Sequence, residues 1–388
     1  MHMEDQTEIR PFRSETRPEQ LADLRERLAR TRLAPALSGA DWTHGTPPGY
    51  LAELLDYWRT EFDWVAAERR LNALPQFVAD VDGTTLHFVH AKGVGPRPLP
   101  LLFSHGWPGS FWEVHKIIGP LTDPAAHGGD PDDAFDLIAP SIPGYGFSPH
   151  PGTPGLSPKA VATRFDQLMT EVLGYRRYGA QGGDWGAMIT SSLGRDHGAN
   201  LAGIHLNMIG ASPVLHENSA PFTPAEEAFV AKTQQWLADE SGYSAIQGTR
   251  PSTVAAGISD SPAGLAAWIV EKFRAWSDCG GDVESAFSKD ELLTHITLYW
   301  LTNTAATAAR LYYEAQHAEG MLAPGYVDIP TGYAGFAQDI VVPPEEWVRR
   351  CYNLTRFTAF EQGGHFAALE RPQELVTEIR EFFRPLRD

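Results

Sequence analysis

At 388 residues the chain is long enough for one large core with insertions or for two domains, and its 43% hydrophobic, 21% charged composition is ordinary for a soluble globular protein. A net charge of −18 argues against nucleic-acid and anionic-membrane partners. The two cysteines, Cys279 and Cys351, exclude a disulfide framework and a cysteine-based zinc site, so a cytoplasmic protein is expected.

The first stretch, MHMEDQTEIRPFRSETRPEQ, lacks the apolar segment of a secretory leader, and there is no later run of about 20 apolar residues, so neither export nor membrane spanning is expected. A helix is predicted after Pro18, with Leu21, Leu24 and Leu28 on one face. A second stripe, Leu51, Leu54, Leu55 and Trp58, comes after Pro47-Pro48-Gly49. These helices have no core of their own, so residues 1–75 should form an extension packed on the rest of the chain.

From Gln76 the pattern changes to strands. Phe77 to Val81, the Asp82-Gly83 turn and Thr85 to His90 predict a hairpin. Short apolar runs at Leu99–Phe103, Phe135–Ala139, Tyr178–Gln181 and Leu201–Met208 alternate with helical stretches, which indicates a mostly parallel sheet covered by helices on both faces. Residues 76–211 would form the first part of this α/β core. Residues 212–335 break the rhythm and are mostly helical, as at Ala263–Trp276 and Leu292–Tyr313, which predicts a helical cap over the site. The β/α pattern returns over 336–388 with Ile340–Val342, Leu354–Phe360 and a last helix, Pro372–Phe383.

Sheets of this kind bind ligands beyond the carboxyl ends of their strands, where HGWPGS, PGYGFS and QGGDWG all fall. In Gln181-Gly182-Gly183-Asp184-Trp185-Gly186 an Asp is flanked by glycines in the small-x-nucleophile-x-small pattern of the α/β-hydrolase elbow, where serine hydrolases carry Ser. A carboxylate held there is suited to attack an sp³ carbon and form an alkyl ester, which points to epoxide opening or halide displacement.

Turnover of that ester needs a base and an acid that orients it, in the chain order nucleophile, acid, base. His365, in Gly363-Gly364-His365-Phe366 after a predicted strand, is the candidate base. Asp339, beside an apolar run 26 residues earlier, is the candidate acid, although Glu345 and Glu346 nearby would equally suit an acidic surface loop. An oxyanion needs preorganised N–H donors, and the amides of Trp185 and Trp107 are the candidates. Trp107, Trp185 and Phe111 are the expected substrate contacts.

In order, HGWPGS, PGYGFS, QGGDWG, IHLNM and GGHFAALE resemble the microsomal-type epoxide hydrolases, a family that includes the insect juvenile hormone epoxide hydrolases and bacterial relatives. The likeness runs from the N-terminal helices to the last helix. It implies an α/β-hydrolase fold with an N-terminal helical extension and a cap, a triad of Asp184, His365 and Asp339, and no cofactor. Asp339 stands where animal members often carry Glu, and those members' N-terminal membrane anchor has no counterpart at the start of this chain. The resemblance also implies two cap tyrosines that donate to the epoxide oxygen. Tyr243 matches in Gly242-Tyr243 ahead of Arg250-Pro251-Ser252-Thr253-Val254, and Tyr312 in Arg310-Leu311-Tyr312-Tyr313-Glu314, with Tyr313 its neighbouring alternative.

No HExxH or Cys/His ligand spacing suggests a metal, and Gly144-Tyr145-Gly146 is no dinucleotide fingerprint. A haloalkane or haloacid dehalogenase would use the same triad but would need halide-binding donors in place of the tyrosines. A non-catalytic receptor on the same fold predicts a missing triad member, and none is missing. The expected partners are a bulky apolar or aromatic epoxide and water, with a homodimer left open.

Overall fold

Nine strands form one sheet in the computed structural model of the chain, which describes residues 8–35, 39, 41–217, 219–318 and 325–387. The strands are β1 (Arg10–Pro11), β2 (Gln76–Val81), β3 (Thr84–Ala91), β4 (Leu99–Ser104), β5 (Phe135–Pro140), β6 (Tyr178–Gly182), β7 (Leu201–Leu206), β8 (Val327–Gln338) and β9 (Tyr352–Gly364). They lie in the order β1-β2-β3-β5-β4-β6-β7-β8-β9. β1 to β3 pair antiparallel and β3 joins β5 antiparallel, while the pairings from β5 through β4 to β9 are parallel. The expected hairpin is β2 and β3, turning at Asp82 and Gly83, both at positive φ.

Every residue of β5, β6 and β7 is buried, Asp136, Gln181 and His205 included, as befits mostly apolar strands covered on both faces. The covering helices include Pro158–Gln167, Trp185–Asp196 and Pro372–Phe383. β4 and β6 are neighbours at the centre, so the loops leaving their carboxyl ends, HGWPGS and GDWG, emerge side by side.

Between β7 and β8 the chain forms the cap from helices Pro224–Glu240, Gly242–Thr249, Pro251–Asp260, Pro262–Ala275, Lys289–Thr302 and Ala305–His317. Three sequence expectations are corrected here. The Leu292–Tyr313 helix is two helices, because Asn303 adopts the left-handed conformation and ends the first. The range 212–335 overruns the cap, since β8 joins the sheet from Val327 onwards. Ile340–Val342 is no strand; β8 stops at Gln338, and Asp339 begins the next loop.

The N-terminal helices, Pro18–Ala29, Pro48–Thr60 and Trp64–Leu71, bury Leu24, Leu28, Leu54, Trp58 and Leu71 in the common core. Each such side chain contributes about 1.5–3 kcal/mol on burial. Two of their tethers run to the cap: Tyr57 donates to Asp290 at 2.9 Å, and Arg27 bonds both the carbonyl and the carboxylate of Asp260 at 2.8 Å. The extension therefore braces the cap from outside. Among the described residues no helix is long and apolar enough to cross a membrane.

Candidate active site

Asp184 sits between β6 and the helix Trp185–Asp196 with φ +50° and ψ −129°, a conformation unfavourable for an L residue and held by its surroundings. Glycine is needed beside it for close approach. A Cβ on Gly186 would lie 1.9 Å from the Ser104 carbonyl oxygen, and one on Gly106 would lie 2.1 Å from Asp184 Oδ1. Gln181 and Asn207 brace the turn from below, Gln181 Nε2 donating to Asn207 Oδ1 at 2.7 Å.

The Trp107 amide donates to Asp184 Oδ1 at 2.6 Å. The amide of Trp185 opens the elbow helix, where the first N–H groups have no partner within the helix. The Trp107–Ser110 loop is fixed from the cap. His295 bonds the Pro108 carbonyl, and Tyr299 donates to the Gly109 carbonyl at 2.7 Å. Burial holds the His295 pKa down to about 4, so the ring is neutral.

His365 lies between two carboxylates. Its Nδ1 is 2.7 Å from Asp339 Oδ1, and its Nε2 is 3.4 Å from Asp184 Oδ2. Burial disfavours the charged imidazole, but the charges and hydrogen bonds of Asp339 and Asp184 outweigh it and raise the pKa well above the ordinary value. The loop carrying His365 is stitched to the cap. The His365 amide donates to the Trp276 carbonyl, while Glu370 accepts from the amides of Gly364, Phe366 and Asp278 at 2.8 to 3.0 Å. Burial pushes the Glu370 carboxyl up to about 7 against those amides.

Tyr243 and Tyr312 both reach this place and are buried. The Tyr243 ring stacks on Trp107 at 5.1 Å, and Tyr312 stands edge-on to Trp185 at 4.6 Å and to Tyr243 at 5.8 Å. Burial and then the Asp184 charge hold the Tyr243 phenol well above its usual pKa. Burial, the neighbouring Tyr243 and Asp184 do the same for Tyr312. Both phenols are therefore protonated donors. Tyr313 points elsewhere; it is 38% exposed and stacks on His317.

Phe111 is fully buried with its ring against His87 and Phe147, and it lies outside the water-sized cavity beside Asp184. Sequence reasoning missed Trp276, which packs on Tyr243 and His365 at 5.2 Å each. It also missed Glu113, which lines the cavity beside Asp184 and His365. Nothing local marks Trp276, whereas Ser110-x-x-Glu113 is a capping-box pattern beside a strand-end loop and gave a usable signal.

An Asp elbow, an imidazole held by a second carboxylate and a covering cap define a hydrolase of the α/β-hydrolase fold. The α/β hydrolase fold profile matches residues 100–372, and a profile of the epoxide hydrolase N terminus matches residues 9–114. Epoxide hydrolase 1 of Oryctolagus cuniculus is 38% identical over 98% of this chain and 89% of its own length. The crystal structure of juvenile hormone epoxide hydrolase from Bombyx mori superposes with TM-score 0.88 at 30% identity, covering 98% of this chain and 95% of that one. The Aspergillus niger epoxide hydrolase structure gives 0.86 at 31%, covering 98% and 97%. The chain belongs to the epoxide hydrolase family, and its substrates are an epoxide and water.

Proposed function

We propose that the chain converts an apolar or aromatic epoxide to a vicinal diol through an ester on Asp184, and that it works as a soluble cytoplasmic enzyme without cofactor or metal. The observation that carries the reading is the convergence of Asp184, His365, Tyr243 and Tyr312 around Trp107 and Trp185. Two protonated phenols suit a developing alkoxide, which favours an epoxide over a halide. The aromatic walls formed by Trp107, Trp185 and Trp276 suit an apolar substituent.

Protons balance around the cycle. Asp184 attacks an epoxide carbon, the C–O bond breaks, and a tyrosine protonates the alkoxide. Alkylation removes one of the two anions that keep His365 charged, so its pKa falls and its proton returns to the tyrosinate. The neutral imidazole, oriented by Asp339, then takes a proton from water as the water oxygen bonds to Asp184 Cγ. The oxyanion is met by the Trp107 and Trp185 amides. The ester C–O bond breaks as His365 protonates the leaving oxygen, and the resulting Asp184 acid returns its proton to His365.

A single turnover of excess enzyme with styrene oxide in oxygen-18 water tests this. Unlabelled diol with label in the Asp184 peptide is expected. Labelled diol with unlabelled Asp184 means direct attack by water and refutes the ester.

A further inference from the structure

Beside Asp184 lies a cavity whose polar side chains are Asp184, His365, Glu113, Asn207 and Ser104, with Ala367, Ala368 and Leu375 among its apolar ones. Neither Tyr243 nor Tyr312 lines it. About 20 Å³ is open to the centre of a water molecule there. A water needs roughly 10–15 Å³ by that measure, so the space fits about one. An epoxide with any substituent does not fit.

Glu113 is held for a role in this space. It is the third residue of the short helix Phe111–Lys116, and its Oε1 accepts the Ser110 amide at 3.2 Å. The Ser110 hydroxyl accepts from Trp112 in return. A Cβ on Gly109 would fall 1.8 Å from Glu113 Oε1, so glycine at 109 is what lets the carboxyl lie against the Trp107–Ser110 loop. The proposed mechanism gives this side chain no task.

We propose that Glu113 positions the hydrolytic water in this cavity, holding one of its hydrogens while His365 takes the other and its lone pair faces Asp184 Cγ. This rests on the ester reading. The water's O–H bond to His365 breaks as the C–O bond at Cγ forms, and Glu113 neither gains nor loses a proton. Burial, reinforced by the Asp184 charge, pushes the Glu113 carboxyl up to about 8, against the opposing influence of His365 and the Ser110 amide. At neutral pH it is therefore a neutral acid, which does not repel the oxyanion forming at Asp184. A second carboxylate in its place would.

The role separates the two half-reactions. With styrene oxide in single turnover, tryptophan fluorescence follows ester formation and decay, because Trp107 and Trp185 flank Asp184. Intact-protein mass counts the adduct. Glu113→Ala is expected to slow ester hydrolysis about 30- to 100-fold, the scale of losing one positioning contact, with ester formation within about twofold of wild type. Glu113→Gln, an isostere of the neutral acid that still accepts from Ser110, restores hydrolysis to within about threefold. Glu113→Asp keeps a polar cap but withdraws the carboxyl by one methylene, and it gives the same selective loss should the alanine variant fail to fold. Equal losses in both steps would assign Glu113 to shaping the oxyanion loop alone and overturn the proposal, as would unchanged hydrolysis in both the alanine and aspartate variants. His365→Gln serves as control: if it accumulates no adduct, the ester reading itself has failed.

Discussion

Replacing Asp339 by Asn tests the electrostatics at the centre of the site. The Asp339 carboxylate lies 2.7 Å from His365 Nδ1, and both side chains are buried. At an effective dielectric of 20 that separation corresponds to about 6 kcal/mol of raw attraction for the imidazolium. Part of this already stabilises the resting cation, so about 3–5 kcal/mol is left at the hydrolytic transition state. At 1.36 kcal/mol per decade this is a loss of roughly 10² to 10⁴ in ester hydrolysis. Asparagine also offers Nδ1 a donor in place of an acceptor, which moves the proton to Nε2 and removes the base facing Asp184. Ester formation needs the Asp184 carboxylate and the tyrosines, so it should change far less. The assay is stopped-flow fluorescence in single turnover, with intact-protein mass to detect the adduct. The expected result is an ester that forms within seconds and persists. Hydrolysis within threefold of wild type would refute the reasoning, and so would parallel losses in both steps.

Tyr312→Phe should slow ester formation by about 10²–10³, the cost of one lost oxyanion donor. Tyr313→Phe, altering an exposed ring stacked on His317, should stay within about twofold; the reverse pattern in single-turnover rates would exchange their roles. Gly186→Ala sets a Cβ 1.9 Å from the Ser104 carbonyl oxygen and 3.0 Å from that of His105. The overpacking should cost about 1–3 kcal/mol, and urea midpoints equal to wild type would contradict it. Because His365 has a raised pKa, its protonation stabilises the fold fully below about pH 6.5, the unfolded value. That contribution is lost as pH rises through the folded value. The stability difference between wild type and His365→Gln should therefore shrink as pH increases above 6.5, and a difference flat with pH in urea titrations would show that the imidazole is not charged at rest.

The elbow turn was legible because its requirements are local: glycines on both sides of an Asp at a strand end have few other uses, and QGGDWG declares the turn at Asp184. The alternation of apolar runs with helical stretches likewise fixed a parallel sheet, because strands buried on both faces leave no polar period. The break at Asn303 escaped notice because a left-handed C-cap at Asn leaves the apolar pattern on either side intact. The cap boundary slipped because β8 has Pro330, Gly332 and Gly335 within it, which read as breakers in a strand held by its neighbours.

What the chain determined by itself is the residue types of the site and their order, since motif spacing and backbone preference act over a few residues. Only the tertiary structure decided which groups meet. It set His365 between Asp339 and Asp184, stacked Tyr243 on Trp107, turned Tyr312 inward and Tyr313 outward, and brought Glu113 to the cavity that Phe111 does not reach. These outcomes depend on cap helices and core loops far apart in sequence burying the same apolar surface, and on charges that acquire their pKa values only once water is excluded around them.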